Sequence, residues 1–317
     1  MSQITIAIHG GAGTIEKSML SPELEKSYLD GLRYALEQGY TILNQGGDAM
    51  SAVEMAVIAL EDNPLFNAGK GAVFTHQGKH ELDASIMNGN TLEAGAVAGV
   101  SNIKNPISLA KAILHHSGHV MLASEGAKAF AIQQGIEIVP DDYFYSTYRY
   151  EQWQEIKNTS TYQLDHQAKQ EHQYSESEKK MGTVGAVALD SFGNLAAATS
   201  TGGMTNKKYG RIGDTPVIGS GTYANNKTCA VSCTGHGEYF LRAVVAYDVS
   251  CLMEYQQLSL QEACDKVVHK KLLPMGGEGG LIAVDTMGNF SLCFNSPGMY
   301  RGVKNNMGIN EVAIYGQ

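Results

Sequence analysis

The chain has 317 residues, enough for one large domain or two of ordinary size. Apolar residues make up 43% of it and charged residues 17%, a balance that excludes an intrinsically disordered chain. The net charge of −9 argues against a broad nucleic-acid-binding surface. No segment approaches the ~18 consecutive apolar residues of a membrane span. We therefore expect a compact globular protein whose partners are neither nucleic acids nor membranes.

The N-terminal residues and the cysteines predict a cytoplasmic location. Residues 1–9 lack the positive segment and the long apolar core of a secretion signal. The five cysteines are odd in number, all follow residue 228 and form no CxxC pair. This usage is typical of reduced thiols rather than a disulfide framework. Cys229 and Cys233 alternate with apolar residues, which predicts that both are buried on a strand.

The first 150 residues alternate between strand and helix patterns. Helices are expected where apolar residues recur at helical spacing, and strands where they stand between Gly and Asn turns. Asp48 is placed to cap the second helix. The order of elements suggests sheet layers covered by helices. The expected strands are 5–8, 72–74, 81–87 and 95–100, and the expected helices are 22–43, 49–60, 107–116 and 124–134.

Composition changes abruptly after Tyr150. Residues 151–180 contain ten charged side chains and six Gln but no Gly or Pro, which predicts a solvated linker or a frayed surface helix. At Met181 the chain turns into a buried-strand composition. The chain therefore divides into residues 1–150, a polar linker 151–182 and residues 183–317, and the end of the linker is a possible cleavage point.

A predicted hairpin brings two threonines together. Residues 184–189 and 195–201 read as apolar strands joined by a short loop that contains Gly193. If the hairpin is centred on Phe192, two residues face each other when their residue numbers sum to 384. Thr183 then faces Thr201, and directly opposed Cβ atoms lie about 4.5–5.5 Å apart.

A third strand, 228–233, ends at Thr234 and Gly235. Between the second and third strands, Arg211 and Asp214 place a cation and an anion three residues apart in a Gly-rich loop. Each feature alone is ordinary, because Thr suits strands and Gly suits strand ends. Their combination with the linker and Gly182 is what points to chemistry.

These motifs together resemble the plant-type L-asparaginases, also called isoaspartyl peptidases, which are N-terminal-nucleophile hydrolases. Matches run in order from residue 7 to beyond residue 280. The matching segments are Ala7-Ile-His9-Gly10-Gly11-Ala-Gly13, Asn63-Pro-Leu-Phe66-Asn67-Ala-Gly69-Lys-Gly71, Glu81-Leu-Asp83-Ala, Lys180-Met-Gly-Thr183-Val-Gly-Ala-Val-Ala, Ala198-Thr-Ser-Thr201-Gly-Gly-Met-Thr-Asn206, Gly210-Arg211-Ile-Gly-Asp214 and Ser232-Cys-Thr234-Gly.

The resemblance implies a precursor that cuts itself between Gly182 and Thr183. The new N-terminal Thr183 is then both nucleophile and base, since its α-amine, with a pKa of about 7.7–8.0, accepts the hydroxyl proton near neutral pH. Thr201 orients the nucleophile, and Thr234 with Gly235 forms the oxyanion hole.

The expected substrates are L-asparagine and β-aspartyl dipeptides, with release of L-aspartate. Arg211 is expected to bind the substrate carboxylate and Asp214 its ammonium group, with Thr234 and Gly235 at the reacting end. Asn67 and the His9-Gly10-Gly11 loop are expected to line the site or to control the cut.

The resemblance also implies a fold, an assembly and an ion. The fold class is α+β, a four-layer αββα sandwich, and two cleaved precursors are expected to form an (αβ)2 heterotetramer. No cofactor is expected for the chemistry. A structural Na+ is expected at a helix C-terminus, where carbonyl groups are left without helical partners. Its ligands are the backbone carbonyls of Leu60, Glu61, Asn63, Phe66, Ala68 and Lys70.

Two other functions compete with this interpretation. A glycosylasparaginase shares the hairpin and the threonines, but such an enzyme is normally exported. A catalytically silent relative, or a Gly-rich binding module, fits the composition and would never be processed. The His9-Gly10-Gly11 loop also fits an α/β-hydrolase, but the Gly-x-Ser-x-Gly elbow of that class does not occur in the sequence.

Overall fold

The computed structural model describes residues 2–158 and 182–316. Strands and helices alternate through these residues. The strands within the described ranges are β1 (Thr5–Gly13), β2 (Leu82–Asn88), β3 (Ala94–Val100), β4 (Met121–Ala123), β5 (Val184–Leu189), β6 (Leu195–Thr201), β7 (Thr222–Ala224), β8 (Cys229–Gly235), β9 (Gly279–Asp285), β10 (Phe290–Phe294), β11 (Gly298–Asn305) and β12 (Asn310–Tyr315).

Side chains cap the first two helices, and the cap at Asp48 was predicted. Ser21 Oγ accepts a hydrogen bond from Leu24 N, and Asp48 Oδ1 accepts one from Ser51 N, which satisfies orphan donors at two helix starts. Within the described ranges no helix is long and apolar enough to cross a membrane. The helices are α1 (Pro22–Asn44), α2 (Ala49–Glu61), α3 (Pro106–His116), α4 (Ser124–Gln133), α5 (Thr147–Ile156), α6 (Gly237–Ala243), α7 (Val245–Gln256) and α8 (Leu260–Asp265), which continues into a π-helical segment (Lys266–Leu272).

The strands form two sheets, so the predicted mixed α+β class is confirmed. The larger sheet has the order β12–β11–β1–β5–β6–β2–β3–β4, and the smaller has the order β10–β9–β8–β7. In the larger sheet β1 pairs with β5, and β6 pairs with β2. Strands from before and after Gly182 are therefore neighbours within one sheet.

Strand alternation divides the buried side chains among three clusters. Along β5, Val184, Ala186 and Ala188 pack with residues of α1, α2 and α3. Val187 and Leu189, on the opposite face, pack with residues of β8 and β9 from the smaller sheet. The other face of β8 and β9 packs with α7 and α8, and this third cluster includes the buried Cys229 and Cys233, as predicted.

The strand predicted at 72–74 is wrong. Ala72 N donates to Gly69 O and Val73 N donates to the Asn67 side chain at 3.1 Å, so these donors serve a compact loop instead of a sheet. Apolar residues are buried in this segment, as the pattern required, but their backbone groups bond to loops, since the Phe74 carbonyl accepts from Asn206 N at 2.8 Å.

Helix α5 lies across the predicted boundary at residue 150. The Trp153 ring stacks on Phe74 with 5.6 Å between centroids, and the buried Arg149 donates from Nε to Gly71 O at 3.1 Å. These contacts fix the start of the segment that the polar composition assigned to a linker from residue 151. The remainder of that linker, residues 159–181, lies outside the described residues.

Candidate active site

The β5–β6 hairpin has the predicted register. Val184 pairs with Ser200 and Leu189 with Leu195, and both pairs sum to 384. Asp190 Oδ1 accepts hydrogen bonds from two backbone N–H groups of the loop, at 2.9 Å each, which fixes the turn. Continued by one residue, this register sets Thr183 opposite Thr201, and both residues are buried.

A buried imidazole holds the backbone of Thr183. His9 Nδ1 lies 3.0 Å from the Thr183 carbonyl oxygen, and Nε2 lies 2.9 Å from Ser232 Oγ. A carbonyl only accepts, so the proton is on Nδ1 and Nε2 is an acceptor. Burial lowers the pKa of His9 to about 3. The ring is therefore neutral at physiological pH and positions Thr183 without acting as a base.

A row of buried hydroxyls continues from His9 between the two sheets. Because His9 Nε2 accepts, Ser232 donates to it, and Ser232 Oγ is left to accept from Thr199 at 2.7 Å. Thr199 Oγ1 accepts from Thr222 at 2.5 Å. Ser85 donates within 2.7 Å of Thr222 Oγ1 and 2.6 Å of the Thr215 carbonyl. Because the proton of the neutral His9 ring is on Nδ1, each hydroxyl from Ser232 to Thr222 donates toward Nε2.

Gly185 makes this arrangement possible. A Cβ atom at this position would lie 2.0 Å from Ser232 Oγ and 2.5 Å from His9 Nε2. Both distances are shorter than any van der Waals contact, so a side chain at residue 185 would separate the imidazole from the hydroxyl. The glycine two residues after Thr183 is therefore required by close packing.

Three predicted segments meet at Gly182. A Cβ at Gly182 would lie 2.6 Å from Thr234 Oγ1, and one at Gly11 would lie 2.8 Å from Gly182 N. Gly11 also has φ +115°, which favours glycine. Ala12 N donates to Thr234 Oγ1 at 3.2 Å. Gly182 is therefore enclosed by Gly11, where the pairing of β1 with β11 shifts register, on one side and by the Thr234 hydroxyl on the other.

The remaining contacts around this site involve Gly10, the Thr183 hydroxyl and Gly235. Gly10 faces Phe66, whose ring would be 2.5 Å from an added Cβ. The Thr183 hydroxyl lies 3.5 Å from Thr215 Oγ1, a residue that the sequence analysis did not include. Gly235 ends β8 opposite Gly279, directly after Thr234.

Arg211 and Asp214 come together as predicted. A Cβ at Gly237 would lie 2.8 Å from both Arg211 Nη2 and Asp214 Oδ1. Burial raises the pKa of Asp214 to about 7, while the nearby Arg211 lowers it. Asp214 Oδ2 is buried, with no hydrogen-bond partner among the described residues. A buried carboxylate oxygen without a partner requires a physical explanation, and a donor from outside the chain is one such explanation.

The guanidinium fork of Arg211 is already paired. Its Nε and Nη2 each donate to one carboxylate oxygen of Glu238 at 2.8 Å. This bidentate pair is the geometry by which an arginine recognises a carboxylate. Glu238 was not predicted from the sequence, because it lies in α6, outside all of the matching motifs.

Asn67 supports the segment after Thr201. Its Nδ2 donates to Gly203 O at 2.7 Å, and Gly203 N donates to Thr201 Oγ1 at 3.0 Å. Asn67 Oδ1 accepts from Val73 N. The contacts of the Asn67 amide therefore position the end of β6, and its predicted contact with substrate stays a prediction.

The predicted cation loop follows α2 and turns back on itself. Backbone N–H groups donate to the carbonyls of Asn63, Phe66 and Ala68 at 3.3, 2.9 and 3.1 Å. A Cβ at Gly69 would lie 2.6 Å from Glu61 O, and one at Gly71 would lie 2.0 Å from Phe66 O. Leu60 O accepts from Asn63 N at 3.3 Å, and the Lys70 ammonium lies over the Tyr143 ring, 5.5 Å from its centroid.

Known proteins of one family are similar to this chain over nearly its whole length. A family model described as asparaginase matches residues 2–314. An isoaspartyl peptidase of Salmonella typhimurium is 53% identical over 301 residues, which cover 95% of each chain. One from Escherichia coli is 52% identical, over 95% of this chain and 92% of its own. A probable isoaspartyl peptidase/L-asparaginase 2 of Arabidopsis thaliana is 41% identical over 98% of each chain.

The hydroxyl row could have been found from strand alternation. Thr199 precedes Thr201 by two residues, and Ser232 precedes Thr234 by two residues, so each pair lies on one face of its strand. Polar residues at successive positions on a buried face need partners, and this requirement was the available signal.

The row predicts a measurable difference between two substitutions at Thr199. Thr199→Val keeps the volume but leaves Thr222 without an acceptor and Ser232 without a donor, so we expect a loss of about 1–3 kcal/mol in the free energy of unfolding. Thr199→Ser keeps the hydroxyl and should lose less. Urea denaturation of both variants measures this, and equal losses would contradict a contribution from the row.

Proposed function

Because the chain belongs to the asparaginase family, we infer that it is an autoproteolytically activated amidohydrolase with a threonine nucleophile. It hydrolyses the side-chain amide of L-asparagine and the isopeptide bond of β-aspartyl dipeptides, and it releases L-aspartate. The names of its relatives supply the substrates. The observation that carries the mechanism is the enclosure of Gly182, directly before Thr183, by Gly11 and the Thr234 hydroxyl.

Activation begins with attack of Thr183 Oγ on the Gly182 carbonyl carbon. The peptide C–N bond breaks, Thr183 N gains a proton, and an ester joins Gly182 to Thr183 Oγ. Water then hydrolyses this ester to a Gly182 carboxylate and a free N-terminal threonine. The absence of a Cβ at Gly182 supports the step, because Thr234 Oγ1 occupies the space that such an atom would take.

Hydrolysis uses the same hydroxyl. The α-amine of Thr183 takes the hydroxyl proton, Oγ attacks the substrate side-chain carbonyl, and ammonia or an amino acid leaves with a proton. The resulting β-aspartyl ester is hydrolysed by water. Thr234 Oγ1 accepts from Ala12 N, so its own proton remains available to the oxyanion together with Gly235 N–H. Thr201, opposite Thr183 in the hairpin, orients the nucleophile.

The aspartyl end of the substrate binds between Arg211 and Asp214. The Glu238 carboxylate on the Arg211 fork supports this proposal, because it stands in for the substrate α-carboxylate and shows a bidentate fit. The substrate carboxylate takes the place of Glu238, and the substrate ammonium donates to Asp214. Both substrates present the same end, which explains acceptance of asparagine and of β-aspartyl dipeptides.

We further propose that the fold is the four-layer αββα sandwich and that the cleaved halves stay together. Three features support this: one core cluster between the sheets, one cluster on the outer face of each, and pairing of β1 with β5 and of β6 with β2. The cluster between the sheets and the cluster beside α1–α3 each combine residues from 1–182 and 183–317, so separation of the halves would open both. The (αβ)2 assembly of two cleaved precursors and the cytoplasmic location remain proposals, the second supported by five free cysteines.

We also propose that the loop after α2 holds a structural Na+. The donor set fits, because neutral carbonyl oxygens are hard ligands suited to such a cation. The positions of Gly69 and Gly71 support it, since an added Cβ at Gly69 would collide with Glu61 O and one at Gly71 with Pro64 O and Phe66 O. The ion would fix the loop that carries Asn67 and would take no part in the chemistry.

The nucleophile is tested by substitution of Thr183. Thr183→Ala should abolish both precursor cleavage and hydrolysis, while Thr183→Ser and Thr183→Cys should keep slow cleavage, because a nucleophile remains with altered attack geometry. Arg211→Ala should cleave normally but raise KM strongly, since its guanidinium pairs with Glu238 and is proposed to bind the substrate carboxylate, and it takes no part in the attack on Gly182. A denaturing gel and a product assay with asparagine, a β-aspartyl dipeptide and a glycosylated asparagine measure these effects.

Cleavage or ammonia release by Thr183→Ala would contradict the mechanism. Turnover of the glycosylated asparagine alone would indicate a glycosylasparaginase. An unprocessed wild-type chain without activity toward any of the three would indicate a silent binding protein.

Asp214 predicts the pH dependence. Its pKa is raised to about 7, so the carboxylate that binds substrate ammonium is present above that pH and lost as the pH falls through it. We expect kcat/KM to rise with pH through about 7, with the Thr183 α-amine adding a second ionisation near 7.7–8.0. Asp214→Asn should lower kcat/KM and leave the α-amine ionisation alone. An unchanged pH profile in Asp214→Asn would exclude this role.

Sodium should stabilise the protein. We expect the Tm to rise with NaCl in a saturable way, relative to choline chloride at equal ionic strength, because an ion bound only to the folded state stabilises it. Gly69→Ala, which places a Cβ against Glu61 O, should remove this response, and Gly126→Ala, which meets nothing within 4 Å, should keep it. Identical melting curves in the two salts would rule out the site.

A further inference from the structure

A second group of reactive side chains lies away from Thr183, at the edge of the smaller sheet. Asp265 ends α8, His269 lies in the π-helical segment that follows, and Cys293 lies on the edge strand β10. One ligand atom from each converges within 4.8 Å. The proposed hydrolysis uses none of these residues.

The distances from the Cys293 sulfur to the other two ligand atoms match those between neighbouring ligands of a bound metal ion. Cys293 Sγ lies 3.4 Å from Asp265 Oδ1 and 3.6 Å from His269 Nε2, and Nε2 lies 4.0 Å from Oδ1. In a tetrahedral zinc site, bonds of 2.0–2.3 Å place neighbouring ligand atoms roughly 3.3–3.6 Å apart. Both sulfur distances agree with this, and the third needs a small rotation of side chains that are partly free in solvent.

Exposure gives the group an inner and an outer side. Cys293 is 6% exposed and belongs to the core cluster behind the sheet, whereas the His269 and Asp265 side chains are 40% and 51% exposed. An ion held here would contact the buried sulfur on one side and water on the other. The ion could therefore reach the site from solvent, and its fourth position would be filled by water.

The geometry argues against a nucleophilic cysteine. A Cys–His–Asp triad needs the acid and the thiol on different nitrogens of the imidazole, but here both face Nε2. Convergence of sulfur, nitrogen and oxygen on one point is the arrangement of ligands rather than of a proton relay.

We propose that Asp265, His269 and Cys293 bind one zinc-like divalent cation, with water as the fourth ligand. Thiolate and imidazole select a borderline-soft ion such as Zn2+ over Mg2+ or Ca2+. On binding, the Cys293 thiol releases its proton to solvent and sulfur bonds the metal. The ion then links the end of α8 and the π-helical segment to β10.

The link reaches toward the active site through the smaller sheet. Cys293 pairs with Leu281, and Leu281 pairs with Cys233, the residue before Thr234. Two strand spacings, about 10 Å, separate the metal ligand from that strand. We expect the ion to stabilise the strand bearing Thr234, with no role in the chemical steps.

Cobalt titration tests the site directly. The full chain, freed of metal by a chelator, is titrated with Co2+ while the absorption spectrum is recorded. We expect a thiolate-to-cobalt charge-transfer band and tetrahedral visible bands that saturate at one ion per chain, disappear on addition of Zn2+, and coincide with a rise in Tm. Failure of any thiolate band to appear in the wild-type chain would overturn the proposal.

Matched variants assign the ligands. Cys293→Ser should lose the charge-transfer band, and His269→Gln should weaken binding by roughly tenfold or more. Cys251→Ser, which removes a partly exposed thiol on α7, should behave as wild type. Should Cys293→Ser fail to fold, His269→Gln and Asp265→Asn, both at partly exposed positions, decide the question. A band that survives these changes or requires Cys251 would place the metal elsewhere.

Discussion

The hydrogen bonds of one buried imidazole determine how the proposed nucleophile is held. His9 joins the Thr183 carbonyl to Ser232, and so joins β1 and the start of β5 to β8 in the other sheet. Because burial keeps the ring neutral, its two nitrogens have fixed and opposite roles. The carbonyl needs the N–H, and the remaining nitrogen orients a row of hydroxyls that extends to Ser85. Thr183 is thus fixed from its backbone, while its hydroxyl stays available for attack.

Arg211 and Asp214 form the charged end of the proposed site, and the two residues differ in whether they already have a partner. Arg211 is held in place by Glu238, and in the proposed binding mode it exchanges that partner for the substrate carboxylate. Asp214 is buried with one oxygen unpartnered, a cost that a substrate ammonium would remove. In the proposed binding mode, the substrate carboxylate replaces Glu238 on Arg211, and the substrate ammonium donates to the unpartnered oxygen of Asp214. Tight binding therefore needs both the α-carboxylate and the ammonium group of the substrate.

Local pattern and motif together predicted much of this arrangement. The cap at Asp48, the hairpin register and the burial of Cys233 follow from neighbouring residues or simple alternation, which act at short range. The motifs around Gly11, Gly182 and Thr234 correctly identified segments that meet in space. A loop in place of the strand at 72–74 was not predictable, because it depends on the Asn67 side chain. Glu238 and the Asp265–His269–Cys293 group likewise arise from contacts between distant elements.

In the proposed mechanism, Thr183 becomes an N-terminal nucleophile and carries the aspartyl group. Acid quenching during turnover of a β-aspartyl dipeptide, followed by mass spectrometry of the C-terminal fragment, tests it most directly. We expect a fragment that begins at Thr183 and carries an aspartyl ester on that residue. An adduct on another residue, or a processed and active enzyme whose fragment begins elsewhere, would contradict it.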